Sequence, residues 1–489
     1  MIIGSAFLAT GLSLIFFFPD FWLWRGVGLP VPDLLACPDL HRAYFLIQQL
    51  AHPWSRIPGI ETSNNIVIEW RLLLPVLGHY LGMSPTLFFA LPHVGCLATL
   101  ILVAHILCKT VGRFPVVLSG ALLAATCSWF FVSTSWLGYA DSWLVFALVL
   151  ASFADSPKTL FVTALLAPWV DERFILSLPL CLGIRVLMAP ESTPATWKSL
   201  VPCAVALVGG VAPYLCIRLG AELMGIRHTT AGYFAKGFVH DVPAGRVLLG
   251  LWQCLRAGWI MAAAFFALSL RKQRTSWSLA ATAGIFMSLA VNMRAAGDLS
   301  RSASAAFPLL IGGIILAAQA WPKRVLWSMP LLGLANLFLP AEHVVADFVQ
   351  PVYNLRTELV LARNPPHYAN PYFYYAQCSA ALRHDAYQDA RFDLDVAIAL
   401  APDFAEAFAT RGTVLILMGQ PAIALPDLDR ALSLDPTLLD AHLDRAVVRE
   451  NLGDLPGART DLEDLLRLAP ADWPHRESVA EHLKNLADH

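Results

Sequence analysis

Few side chains in the first 340 residues can do chemistry, and those that can fall into groups. That stretch holds only 13 Asp and Glu. Four of them are candidates for a general base: Asp39 first, then Asp20 and Asp33, with Asp141 further along. Around them stand His41, Arg42, Arg71, the run Asp171-Glu172-Arg173, and the pair Asp298 and Arg301. A carboxylate can take a proton from a hydroxyl, and a guanidinium can hold a phosphate through two parallel hydrogen bonds. Such a set suits an anionic, lipid-linked substrate. Each residue also has a plainer role. Asp20 follows an apolar run and can mark its end, and Asp33 follows Pro32 and fits a turn or cap. Asp39 can cap a helix lying along a membrane surface. Glu61 and Glu69 read as solvated loop residues. Asp141 can pair structurally with Arg173 or Arg71, and Asp298 and Arg301 have the spacing of a local ion pair. Arg256, inside an apolar run, needs an acid or a phosphate as its partner. The nine cysteines are scattered with no C-x-x-C pair, so neither a zinc site nor a redox site is indicated. A disulfide between Cys37 and Cys378 is a remote option.

The elements that must position these groups are apolar helices. Of the 489 residues 57% are hydrophobic and 14% charged, against about 25% charged in soluble proteins. That excludes a disordered chain, a disulfide-stapled secreted domain and an ordinary cytosolic enzyme. Apolar runs near 2–18, 84–107, 115–133, 136–153, 159–170, 174–188, 200–219, 247–270, 277–293, 305–320 and 325–340 predict about eleven membrane spans. The fifth and sixth are short and can form one broken or re-entrant pair. Lys and Arg in short loops mark the cytoplasmic side. With the N-terminus inside, the inner loops hold Lys109, Arg113, Lys323, Arg324 and six further basic residues, but only Asp155 and Glu191 among the acids. The other acids then fall at the outer face, with the long loop 19–83 and the chain beyond the last span. The first span lacks a basic leader and a small-residue cleavage site, so it reads as a retained anchor.

The rest of the chain is different. Residues 1–340 carry 22 Lys and Arg against 13 acids, and residues 341–489 carry 12 against 23. Pro402, Pro436 and Pro470 recur every 34 residues, each after a similar phrase such as Ser433-Leu434-Asp435. In that register small residues coincide at Cys378, Gly412 and Ala446, and again at Ala390, Ala424 and Ala458. Leucines coincide at Leu394, Leu428 and Leu462, and turn residues at Asp385, Gly419 and Gly453. Small residues let two antiparallel helices approach, and proline ends the second. The pattern resembles the tetratricopeptide repeat, three copies with a polar capping helix. The expected class is therefore all-α: a polytopic transmembrane bundle over 1–343, a linker over 344–369, and a repeat solenoid over 370–489. The concave face of such a solenoid usually binds a peptide or protein.

The membrane half resembles the GT-C superfamily of integral-membrane glycosyltransferases, which use polyprenyl-phosphate sugars. The likeness lies in a first span, a large outer loop with Asp39-Leu-His-Arg-Ala-Tyr44 and Trp70-Arg71-Leu-Leu-Leu-Pro75, and charges at the outer ends of later spans, at Asp141 and Asp171-Glu172-Arg173. The outer repeat array is similar to that of eukaryotic transmembrane O-mannosyltransferases. The resemblance implies an inverting transfer: a first-loop Asp, by position Asp39, activates an acceptor hydroxyl, and Arg71, Arg173 and Arg301 hold the departing lipid phosphate. This sequence departs from the pattern in having no adjacent acidic pair in the first loop. The co-substrate would be a polyprenyl-phosphate sugar, with metal dependence open. The partners would be membrane lipid and a protein or peptide at the repeats, in a bacterial inner membrane with the repeats periplasmic. The alternative is a non-catalytic membrane-anchored scaffold that assembles an envelope complex. A transporter would place polar groups at the bilayer midplane, which the sequence does not. No basic patch on the soluble part supports nucleic-acid binding.

Overall fold

Prolines and short polar caps set where the helices of the apolar half begin. Ser84 and Ser156 accept hydrogen bonds from Leu87 N and Thr159 N, and each precedes a proline at the helix start. In the computed structural model of the chain, residues 1–17, 38–57, 66–189, 197–225, 242, 244–272, 276–294, 298–344, 349–352, 371, 374, 375, 378, 381, 382, 387–470 and 473–487 are described. They form two units, one around the apolar helices and one around the repeats.

Among the described residues the apolar unit is built mainly of helices: α1 (Ile2–Phe16), α2 (Pro38–Ala51), α3 (Leu73–Tyr80), α4 (Pro85–Thr110), α5 (Phe114–Ala125), α6 (Ser128–Ser135), α7 (Asp141–Phe153), α8 (Pro157–Leu166), α9 (Arg173–Leu176), α10 (Leu178–Met188), α11 (Trp197–Leu223), α12 (Ala244–Leu255), α13 (Trp259–Lys272), α14 (Ser276–Arg294), α15 (Leu299–Ala303), α16 (Phe307–Ala320) and α17 (Pro322–Phe338). A two-stranded antiparallel ladder follows, β1 (Glu342–Val344) on β2 (Val349–Pro351), with His343 opposite Gln350.

Continuity differs from the eleven spans expected. Among the described residues, five helices are long and apolar enough to cross a membrane: Pro85–Thr110, Leu200–Leu223, Ala244–Arg271, Ser276–Arg294 and Leu299–Ala320. A sixth forms if α5 and α6, bent by 55° at their junction, count as one. The remaining expected segments fall on shorter helices. The reason is local. Pro168 lies in a 3-10 turn, Ala167–Trp169, and Pro179 opens α10, so the expected fifth and sixth segments break into short pieces. That break carries Asp171, Glu172 and Arg173.

The repeat unit contains α18 (Tyr387–Leu400), α19 (Ala405–Leu417), α20 (Pro421–Leu434), α21 (Leu439–Asn451), α22 (Leu455–Leu468) and α23 (Arg476–Ala487). α19 with α20 and α21 with α22 are the helix pairs of the 34-residue period, and α23 packs as a cap. Residues that coincide in register are buried together: Ala424, Leu428 and Ala431 in one layer, Ala446, Ala458 and Leu462 in the next. Gly419 and Gly453 adopt φ of 74° and 83°, the left-handed turn that ends the first helix of each pair. The array is a tetratricopeptide-type solenoid. Most of the expected linker 344–369 lies outside the described residues, as does Cys37; Cys378 is buried and free.

Candidate functional site

Four separate segments deliver charged side chains to one place in the apolar unit. The tight turn before α7 brings Asp141. The break between α8 and α10 brings Asp171, Glu172 and Arg173. Asp298 caps α15 by accepting from Arg301 N, which places Arg301 on its first turn. Arg71 follows a short 3-10 turn, Ile66–Trp70.

The carboxylate of Asp141 lies between two guanidiniums. Arg173 Nη2 donates to its Oδ1 at 2.6 Å and Arg301 Nε to its Oδ2 at 2.9 Å. Asp171 accepts from Arg173 Nε at 2.9 Å and from Arg173 Nη2 at 2.8 Å, and stands 3.0 Å from Arg71 Nη1. Arg71 reaches Glu172 as well, at 3.2 Å and 3.3 Å. Arg301 returns to Asp298 at 3.1 Å. Asp141 is 1% and Asp171 2% exposed, so this is an interior network rather than a surface decoration. The desolvation that burial costs each charge is offset only because every one meets an opposite charge at contact distance.

Two groups extend the network that the sequence reading did not include. His343, on β1, has Nε2 3.4 Å from Asp298 Oδ2 and Nδ1 3.1 Å from Ser300 Oγ. Tyr139 lies beneath two cations, its ring centre 4.2 Å from the Arg301 guanidinium carbon and 4.4 Å from that of Arg42. His343 was legible in principle, as a titratable group just past an apolar run on the acid-rich side. Tyr139 had no signal beyond standing two residues before Asp141.

Arg42 is on α2. Its Nε donates to the carbonyl of Gly138 at 2.8 Å, and Gly138 has φ of 81°. A β-carbon at Gly138 would stand 2.4 Å from Leu46 Cδ1, so α2 approaches this turn as closely as glycine allows. Arg42 and Arg71 both line a narrow cleft of about 30 Å³, whose other walls are apolar, among them Leu46, Phe88, Phe89 and Pro92.

The other expected site residues are placed as follows. Asp20 and Asp33 lie outside the described residues. Asp39 and His41 stand in the first turn of α2, and their side chains lie outside them too. Glu69, expected on a solvated loop, is fully buried, and its Oε1 accepts from Ile57 N at 2.9 Å. Arg256, expected to need an acid or a phosphate, instead donates to two main-chain carbonyls, Leu339 O at 3.1 Å and Thr126 O. Those are the C-caps of α17 and α5. The partial negative charge at two helix ends takes the place of a counter-ion. Among the described residues, no group of three or more His, Cys, Asp and Glu is arranged to hold a metal ion.

No protein-family model matches the chain, and no curated protein matches it. Solved structures with some likeness include the Arabidopsis OM64 TPR domain, 21% identical over 24% of this chain and 94% of that one, with a TM-score of 0.23. The first TPR of Spaghetti bound to an HSP90 peptide is 18% identical over 24% and 91%, with a TM-score of 0.23. Yeast Tom70 is 12% identical over 92% and 82%, also with a TM-score of 0.23. The tetratricopeptide assignment rests on this chain's own 34-residue period and helix pairing.

Proposed function

We propose that this chain is a membrane-embedded scaffold whose tetratricopeptide array holds a segment of a partner protein. One observation carries the reading. Every described carboxylate of the buried cluster is already paired with a guanidinium, Asp141 and Asp171 with two each. A general base needs a lone pair facing the substrate and an affinity for its proton. A carboxylate held between two cations has little of either. The cluster then serves to lock broken helices together, and binding falls to the repeats. Photo-crosslinking groups placed at Thr410 and Asp440, on the first helices of two repeats, test this in cells. Discrete adducts at these positions, absent from a probe at Ile423 on α20, are expected. Equal labelling at all three sites would remove the repeats from the binding role.

A second reading has an observation of its own. A cleft with two guanidiniums at its polar end and apolar walls has the lining chemistry for an anion on a hydrocarbon chain, and would have to widen to admit one. In that reading the protein moves a sugar from a polyprenyl-phosphate donor to an acceptor at the outer face. Arg42 and Arg71 hold the phosphate, and Asp39, or failing it Asp20 or Asp33, takes the acceptor proton. An eleven-pass bundle with an outer repeat domain belongs to the same reading. Sugar transfer from a lipid-linked donor, abolished in both Asp39→Asn and Arg42→Gln proteins of unchanged melting temperature, would establish it over the scaffold. Activity undiminished in Asp39→Asn would take the base role from that residue.

A further inference from the structure

The buried cluster marks one end of α4, and a second cleft lies at the other. Phe88 and Pro92 line the Arg42/Arg71 cleft near the start of this helix, and Thr110 lines the second near its end. At about 1.5 Å of rise per residue, Phe88 and Thr110 are about 33 Å apart. That is close to the thickness of a bilayer's hydrocarbon core, about 30 Å. In a bilayer spanned by α4, that spacing would put the second cleft at the opposite interface. Trp321, 40% exposed in the turn between α16 and α17, is the kind of residue that anchors such a boundary.

This open cleft of about 140 Å³ lies between two turns, one joining α4 to α5 and one joining α16 to α17. Its polar lining is Thr110, Arg113 and Gln319, and its apolar lining includes Val111, Val116 and Val325. Two helices end here and two begin, so their dipoles largely cancel and side chains set the sign of the site. Those side chains are basic. The two turns and their flanks carry Lys109, Arg113, Lys323 and Arg324. Lys109 pairs with Asp155 at 3.2 Å in an exposed bridge, which is worth little. Arg113, Lys323 and Arg324 form no ion pair among the described residues. Arg113 is fixed rather than free: its Nη1 donates to Pro322 O at 3.3 Å, across the gap between the two turns. This leaves a held guanidinium with spare donors at the mouth of a half-apolar cleft, at interface depth.

We propose that this cleft is a binding site for the phosphate headgroup of an anionic phospholipid. Arg113 grips the phosphate oxygens, Lys323 and Arg324 supply long-range attraction, and the valines take the start of an acyl chain. A basic pocket between spanning helices is a physically sound place for such a headgroup. The same chemistry would accept a free phosphate, so the test separates the two. It stands apart from either functional reading, because it uses no residue of the buried cluster.

The full chain, purified in detergent, is incubated with phosphatidylglycerol or phosphatidylcholine, and bound lipid is counted by native mass spectrometry. Preferential retention of one phosphatidylglycerol is expected. Arg113→Gln should weaken it about fivefold, and Thr110→Trp, which fills the cleft without changing charge, should weaken it as well. Arg459→Gln, with the same charge change on the repeat unit, should not. Equal retention of the two lipids would overturn the proposal, as would an Arg113→Gln effect no larger than that of Arg459→Gln. Displacement of the lipid by millimolar inorganic phosphate would show a soluble anion to be the ligand, and would overturn it too.

Discussion

A single carboxylate shows how charge is handled inside the apolar unit. Asp141 accepts one hydrogen bond from Arg173 and one from Arg301, and each of those arginines turns to a second acid. Replacing Asp141 with Asn keeps the shape but leaves two buried guanidiniums facing each other across a neutral amide. Breaking a buried pair from one side costs about 3–5 kcal/mol. The Asp141→Asn protein should therefore melt well below the parent in detergent, followed by tryptophan fluorescence. Asp298→Asn should cost less, because Arg301 keeps Asp141. Equal melting of parent and Asp141→Asn would show the network to be slack. The members of this network were legible in the sequence as types, since scarce charges in apolar surroundings must have a reason. Their pairing was legible in part, since Asp141 with Arg173 and Asp298 with Arg301 were both available as structural pairs. The link from Arg301 back to Asp141, across 160 positions, was not, because no periodicity joins residues so far apart.

At the scale of elements, the repeats were the most legible part, because a 34-residue period is a local signal repeated. One consequence became visible only in three dimensions. Arg411 donates to Asp395 on the preceding helix and, through two bonds of 2.7 Å, to Asp427 on the following one. Arg445 repeats this one period later, with Asp429 and Asp461. Each arginine thus staples its own repeat to the one before. Arg445→Ala would leave the buried Asp461 with Arg449 and His442 only, a loss of about 2 kcal/mol. Arg459→Ala removes an exposed bridge to Glu463 and should cost no more than about 0.5 kcal/mol. Hydrogen exchange across α21 and α22 in the full chain would read the contrast, and equal exchange in the two variants would deny the staple. The same layer predicts a pH response. The Asp461 carboxylate, 3.9 Å from its Nδ1, raises the His442 imidazole above its usual range. Burial pushes the Asp461 carboxyl up, but nearby His442, hydrogen bonds from Arg445, and the charges of Arg445 and Arg449 hold it below the usual range. A raised histidine stabilises fully below its unfolded value, about 6.5, and this is lost as pH rises through the folded value. A depressed carboxyl stabilises above about 3.9 and loses this as pH falls through its folded value. Protection of α21 and α22 should peak between about pH 4 and 6.5, and His442→Gln should flatten the alkaline side of that peak. Unchanged pH dependence in that variant would detach His442 from it. The broken helices were less legible, because hydropathy averaged over a window passes across a proline break that the backbone does not.

At the scale of the whole molecule, one question decides among the readings: which side of the membrane each part occupies. The charge split is plain in the sequence, with 22 basic residues against 13 acids in the first 340 positions and 12 against 23 after them. The structure adds a distance. The paired acids stand at one end of α4 and the basic turns at the other, about 33 Å apart by helix rise. Basic residues in short loops hold their end of a bundle in the cytoplasm. The end with Lys109, Arg113, Lys323 and Arg324 should therefore face inward and the Asp141 network outward. α17 starts at the basic end, at Pro322, and runs 17 residues to Phe338, so the chain that leaves it should emerge on the outer side. Reporter fusions after residue 343 and after residue 489 would then both report the outer compartment. A third fusion, within the turn at Gly112, should report the cytoplasm. Cytoplasmic signals from the first two, with an outer signal at Gly112, would invert the arrangement and put the charged network at the cytoplasmic face, because His343 stands 3.4 Å from Asp298. Sugar transfer at the outer face would then be ruled out, and only the scaffold reading would survive. Outer signals from both keep the two readings in contest and leave the decision to the Asp39→Asn and Arg42→Gln proteins.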